Sequence, residues 1–240
     1  MAGKVFAFDG VDGSGKSFLI NLVYDELVIG RGLKGKVKRA RMPGGTAADA
    51  QIRKIIKAPD VEISPLTERL LFAADNVQFI VECIQRLGDD EILLCDRWSF
   101  FTDYCYALPR GLSVQELVSV QDILPEAKVD ILFICNTPTN VCLKRIANDA
   151  SRKRTPCRIE MIGEDYLVKV NHYFSVAAQE KMPVFGEEHD VAVWQRAREV
   201  AGKVVSLDGI QEPKALRDAV LEHLKPWIPE KIDGVERAEG

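Results

Sequence analysis

Eight residues near the start of the chain, Gly10-Val-Asp-Gly-Ser-Gly-Lys-Ser17, leave it few folds to choose from. The pattern G-x-x-x-x-G-K-[ST] has meaning only when a buried strand leads into it and a helix leads out. Both are present. Lys4-Val-Phe-Ala-Phe-Asp9 is a short apolar run, and Phe18-Leu-Ile-Asn-Leu-Val-Tyr-Asp-Glu-Leu27 has the spacing of a helix. Gly13 and Gly15 let the backbone curl so that its N–H groups point at phosphate oxygens. The helix start adds a partial positive charge. In such a loop Lys16 reaches the β- and γ-phosphates and the Ser17 hydroxyl sits on Mg²⁺. Gly10, Ser14 and Phe18 complete the segment expected to hold ATP.

Strand-like apolar runs recur at 5–8, 37–41, 92–95, 131–135 and 204–207, with helical patterns between them. That alternation predicts a parallel sheet covered on both faces. A chain of 240 residues, 47% hydrophobic, can fill the core of one α/β domain. The expected domain runs over 1–228, followed by a polar tail at 229–240. The stretch 185–203, with Trp194, reads as a short added helix.

Ligands of such sheets bind beyond the C-terminal strand ends. That rule gathers the phosphate loop, Arg41-Met-Pro-Gly-Gly45, Asp96-Arg97 and Asn136-Thr-Pro138 in one crevice. Asp96 ends a strand where an acid can hold Mg²⁺ together with Ser17. Arg97 and Arg41 offer always-charged forks for a second phosphate. Ser151-Arg-Lys-Arg-Thr-Pro-Cys-Arg158 packs four cations between helical segments at 140–148 and 160–174. A basic loop hinged in this way, about 149–160, can close over ATP as a lid and neutralise the moving phosphoryl group.

Bulk properties narrow the partners. A net charge of -4 argues against long nucleic acid. No apolar stretch approaches the 18 or more residues of a membrane span, and no signal peptide is evident, so a soluble intracellular protein is expected. The six cysteines, Cys83, Cys95, Cys105, Cys135, Cys142 and Cys157, form no C-x-x-C pair. Most sit in apolar runs and read as buried reduced thiols, which suits a cytoplasm, or a host cytoplasm if the source is viral. A cysteine zinc site is not expected.

Five segments together resemble the thymidylate kinase family. They are Phe8-Asp-Gly-Val-Asp-Gly-Ser-Gly-Lys-Ser17, Arg41-Met-Pro-Gly-Gly-Thr46, Glu68-Arg-Leu-Leu-Phe-Ala-Ala-Asp75, Asp96-Arg97 and Cys157-Arg-Ile-Glu160. They follow the family's order and span most of the chain. The resemblance implies a three-layer P-loop kinase fold with a five-stranded parallel sheet, helices on both faces and a short lid. It implies phosphoryl transfer from ATP to dTMP with Mg²⁺, and a homodimer. Asp12 would sit near the sugar 3′-hydroxyl or the metal. Arg41 and Arg97 would hold the acceptor phosphate, with Pro43 and Thr102 beside the substrate, and Phe72 would stack on the pyrimidine. Some members carry a catalytic Arg inside the phosphate loop. That position is Gly13 here and the lid is rich in cations, so the chain looks like the type whose lid supplies the Arg. Arg152, Arg154 and Arg158 are the candidates, and Arg154 and Arg158 join Lys16, Asp12 and Arg97 in the expected catalytic set.

The departures from the family pattern gather around the base. Asn76 stands where the family has an Arg that bonds the thymine carbonyl, one helical turn past Phe72. Cys105 stands where a Tyr commonly crowds the 2′ side of the sugar. Trp98 follows the Asp-Arg pair, and Met42 replaces a Glu. The acceptor therefore stays open between dTMP and another or 5-modified deoxynucleotide, such as 5-hydroxymethyl-dUMP. A non-catalytic nucleotide-binding switch is the reading from a different class.

Overall fold

The computed structural model describes residues 3–148, 157–184 and 187–229. Five strands form one parallel sheet: β1 (Lys4–Asp9), β2 (Val37–Arg41), β3 (Ile92–Asp96), β4 (Val129–Asn136) and β5 (Ala201–Asp208), in the order β2-β3-β1-β4-β5. The central strand β1 pairs with β3 on one side and β4 on the other. Both its faces are covered, which is why its sequence is an unbroken apolar run rather than an alternation.

Alternate side chains of β1 enter two separate cores. Phe6 and Phe8 meet Leu19, Ile20 and Val23 of α1 (Lys16–Asp25) and Val220, Leu221 and Leu224 of α9 (Pro213–Leu224). Val5 and Ala7 belong to the opposite core. There α3 (Pro65–Phe79), α4 (Ser99–Ala107), α7 (Glu164–Ala177) and α8 (Glu188–Glu199) contribute Phe79, Phe101, Phe174 and Val193. Helices on both faces of a parallel sheet make the three layers expected from the sequence.

The helix boundaries follow local chemistry. α2 (Ala47–Lys57) opens on a reciprocal cap. The Thr46 hydroxyl accepts from the Asp49 N–H at 3.2 Å, and Asp49 accepts from the Thr46 N–H at 3.2 Å. α3 starts with Ser64 as cap and Pro65 in its first turn, where a missing N–H costs nothing. α5 (Val114–Gln121) repeats the reciprocal cap with Ser113 and Glu116, and α6 (Thr139–Asn148) follows β4.

The stretch 185–203 divides. Its middle is α8, and its end already belongs to β5, because Ala201 pairs with Val129 and Lys203 with Ile131. Gly202 and Lys203 hide that strand start from a hydrophobicity reading. Register also aligns the functional strand ends. Phe8 and Arg41 both pair with Asp96, so Asp9, Arg41 and Asp96 finish along one edge of the sheet.

Candidate active site

The phosphate loop leaves β1 at Gly10 and enters α1 at Lys16. Gly10, Gly13 and Gly15 all take positive φ, at 141°, 84° and 96°. A side chain at position 13 is excluded twice over. The φ disfavours it, and a Cβ there would lie 2.5 Å from the Cys142 carbonyl oxygen. Lys16 is buried, with its ammonium donating to the Val11 carbonyl at 3.2 Å and lying 3.8 Å from Asp12. Burial, then the Arg97 charge, lowers its pKa. An anion in the loop would offset both effects. The Ser17 hydroxyl donates to Asp96 Oδ2 at 2.6 Å. Two hard oxygen donors, from the first helical turn and the end of β3, thus meet at the mouth of the loop. Such a pair suits Mg²⁺, which keeps waters and completes its shell with substrate phosphates.

Arg97 is the one described non-glycine residue with positive φ, at 77°. That left-handed conformation is uncommon for an Arg and costs energy. Its N–H donates to the Phe8 carbonyl at 2.9 Å and its guanidinium to the Gly10 carbonyl at 3.0 Å, and it is paired with Asp9 and Asp12. The strained backbone turns the fork back across the β1 end, where an acceptor phosphate would face the loop. Asp9, which the sequence reading left without a role, is fully buried and organises this corner. It accepts from the N–H groups of Gly10 at 2.9 Å and Trp98 at 3.2 Å, and from the Thr102 hydroxyl. Burial raises its pKa, while Arg97 opposes the rise.

The loop opens on a crevice of about 400 Å³. Lys16, Arg41, Arg53, Lys57, Arg97 and Arg145 line it, against Asp12, Asp96 and Glu160 among the described residues. Arg53 and Lys57 come from α2, one turn apart on one face, and were not singled out from the sequence. Arg53 donates to the Pro43 carbonyl at 3.0 Å. Burial, then Arg41 and Arg97, pushes its pKa down to about 10, so it stays cationic at neutral pH. The signal that could have found both is the i, i+4 spacing of cations on a helix that starts at a strand end. Arg145, on α6, donates to the carbonyls of Ser14 at 3.3 Å and Gly209 at 2.9 Å. It also borders a second, mainly apolar cavity of about 290 Å³, with Phe18, Leu22, Leu207 and Leu216.

Of the residues expected at the substrate, Asp12, Arg41, Pro43, Phe72, Arg97 and Thr102 line the crevice. Asn76 and Cys105 do not. Both are fully buried, behind the wall. Helix phase explains Cys105. On α4 the crevice face is Ser99, Thr102 and Tyr106, spaced three and four apart, and position 105 points into the core. Tyr106 thus takes the wall position next to Cys105, with its ring 5.3 Å from the Arg97 guanidinium. Asn76 lies one turn beyond Phe72, and its buried amide faces the Asp103 carboxyl, whose pKa it helps to lower. Arg158 is engaged elsewhere. It pairs with Glu68, which also holds Arg110 at 3.1 Å, and donates to the Ile56 carbonyl at 3.1 Å. Arg152 and Arg154, with most of the expected lid, lie outside the described residues, as do positions 230–240 of the expected tail.

Comparison with known proteins agrees with this geometry. The family model described as thymidylate kinase matches residues 8–191. The thymidylate kinase of Pelotomaculum thermopropionicum is 30% identical over 229 residues, covering 92% of this chain and 98% of that protein. Those of Prochlorococcus marinus (strain NATL2A) and Ligilactobacillus salivarius are 31% and 30% identical, each covering 75% of this chain and 86% and 87% of their own lengths.

Proposed function

The chain belongs to the thymidylate kinase family, and we propose that it transfers the γ-phosphoryl group of ATP to dTMP across this crevice, giving ADP and dTDP. One observation carries the reading: the phosphate loop, the cations Arg41, Arg53 and Arg97, and Phe72 all line a single crevice. A donor triphosphate and an acceptor monophosphate then meet between Lys16 and Arg97. The alternatives, a modified-nucleotide kinase and a non-catalytic switch, find no support among the relatives.

No side chain has to become covalent. The work is positioning and charge neutralisation. Backbone N–H groups of residues 10–17 and the Lys16 ammonium hold the β- and γ-phosphates. Arg97, with Arg41 and Arg53, fixes the acceptor phosphate in line, and Phe72 offers its ring to the pyrimidine. Asp12 lies beside Lys16 and Arg97, near the sugar end of the acceptor. Ser17 and Asp96 would hold Mg²⁺, which neutralises phosphate charge as it moves. The adenine would occupy the apolar cavity beside Phe18 and Arg145. A lid Arg completes the neutralisation, since position 13 admits no side chain. Arg154 is one candidate, and Arg158 is another once it leaves Glu68.

Homodimerisation fits the outer face of α3. Leu66, Leu70 and Val77, continued by Val81, form an exposed apolar stripe at helical spacing. Phe79 and Ile80, which continue from the same helix, are core. All six cysteines are free thiols, which suits a reducing cytoplasm. No described helix is long and apolar enough to cross a membrane.

The deciding experiment is Mg²⁺-dependent ADP release from ATP with dTMP, dUMP, dCMP, dGMP and dAMP offered separately. Turnover with clear preference for dTMP is expected. ATP binding without acceptor-dependent ADP release would overturn the proposal.

A further inference from the structure

We propose that Lys57 is the residue that reads the keto edge of the acceptor base. The inference rests on the kinase reading above and adds the residue that sets base preference. The family pattern gives the carbonyl-bonding role to position 76. Here that position is an Asn that is fully buried and does not line the crevice. The crevice that Phe72 lines nevertheless carries another donor. Lys57 lines the crevice and is half-buried; its carbonyl accepts the Arg158 N–H at 3.3 Å, while its ammonium has no hydrogen bond or ion pair among the described residues.

Its place along α2 assigns it to the base end. The helix begins at Thr46, just beyond the strand edge where Arg41 and Arg97 sit. Arg53 faces the phosphate end, with Arg41 and Arg97 as its nearest charged influences after burial. Lys57 lies one turn further, about 5–6 Å along the axis. Ile56, Ile159 and Phe72 give the same crevice its apolar lining, and Arg53, Asp12, Cys157 and Arg97 are the charged or titratable groups that act on Lys57. Apolar walls with a few polar groups to fix orientation are what a base pocket requires. Burial, then Arg53, lowers the pKa of Lys57. The ammonium therefore gains from any acceptor atom brought to it.

A lysine donates and does not accept. It bonds a carbonyl such as O4 of thymine or uracil. It meets the amino group of cytosine with two donors face to face, which leaves both unpaired. A site of this kind rejects the wrong partner more strongly than it attracts the right one. Lys57 should thus separate keto from amino pyrimidines and leave dTMP against dUMP to the pocket shape around Phe72.

The test is calorimetric titration of wild type, Lys57→Met and Lys57→Arg with dTMP, thymidine and dCMP. Wild-type binding of dTMP checks the kinase reading separately. For Lys57→Met, affinity for dTMP and for thymidine should fall by the same factor, roughly 10- to 100-fold for a lost charged donor. Affinity for dCMP should hold or improve, and Lys57→Arg should keep most of the keto preference. A loss seen with dTMP and absent with thymidine would make Lys57 a phosphate contact and overturn the proposal. Equal losses for dTMP and dCMP would reduce it to packing and overturn it as well.

Discussion

The two halves of the crevice, proposed as the donor and the acceptor site, are built by different means. The donor half is a backbone device. Its phosphate cradle comes from residues 10–17 in unbroken order, held by three glycines with positive φ and by the first turn of α1. The acceptor half is a side-chain device. Arg41, Arg53, Lys57, Phe72, Arg97, Thr102 and Tyr106 reach it from β2, α2, α3, the turn after β3, and α4. A contiguous backbone motif fixes its own geometry, because the residues that make the site are the residues that make the turn. A dispersed set inherits its geometry from helix phase and packing. One residue of phase on α4 moves the wall from Cys105 to Tyr106.

The largest expected effect breaks the donor half outright. Lys16→Ala removes the one ammonium inside the loop and should lower kcat/KM for dTMP by at least ~10³-fold, the upper range for losing a preorganised charge stabiliser. The side chain's hydrogen bond to Val11 and its contact with Asp12 are a small part of the fold. The melting temperature should therefore stay within a few degrees of wild type. Activity within an order of magnitude of wild type would remove the phosphate loop from the mechanism.

A smaller effect separates the halves. Arg53→Met should raise the KM for dTMP by roughly 10- to 100-fold, the size of a lost charge-assisted hydrogen bond, and leave the KM for ATP unchanged. Steady-state kinetics with each substrate varied in turn would show it. Equal shifts in both constants would mean that the crevice responds as one unit and that the division drawn above is wrong.

The same division decides what could be read from the sequence. The loop, its strand, its helix and the meeting of Ser17 with Asp96 were legible, because they depend on neighbours in the chain or on a strand end. The parallel sheet was legible because buried strands are apolar on both faces. The start of β5 was not, since Gly202 and Lys203 look like a loop until β4 pairs with them. Arg53 and Lys57 were missed because a cation on an amphipathic helix looks the same whether it faces water or a ligand. Asn76 and Cys105 were placed by resemblance, and resemblance carries a position but not its burial.

The smallest expected effect on activity tests how the acceptor half is held. Asp75 is fully buried on α3 and accepts the Gly44 N–H at 3.0 Å, which ties the loop after β2 to α3. Burial, then the nearby Asp49, pushes its pKa up to about 8, against about 4 for an unfolded Asp. Between those values the folded protein holds a proton that the unfolded chain releases, so stability must fall as pH rises from about 4 to about 8. Asp75→Asn keeps an oxygen for Gly44 and removes the titration. Its urea midpoint should lose this component of the pH slope, a difference on the order of 4 kcal/mol between pH 5 and pH 8. The matching carboxylate tie of the donor half, Asp9 to the Gly10 N–H at 2.9 Å, is the same in both proteins, so the KM for ATP should not differ between them at any pH in that range. An Asp75→Asn protein with the wild-type pH slope would place the ionisation elsewhere. A KM for ATP that differs between the two proteins would show that the backbone cradle also depends on Asp75.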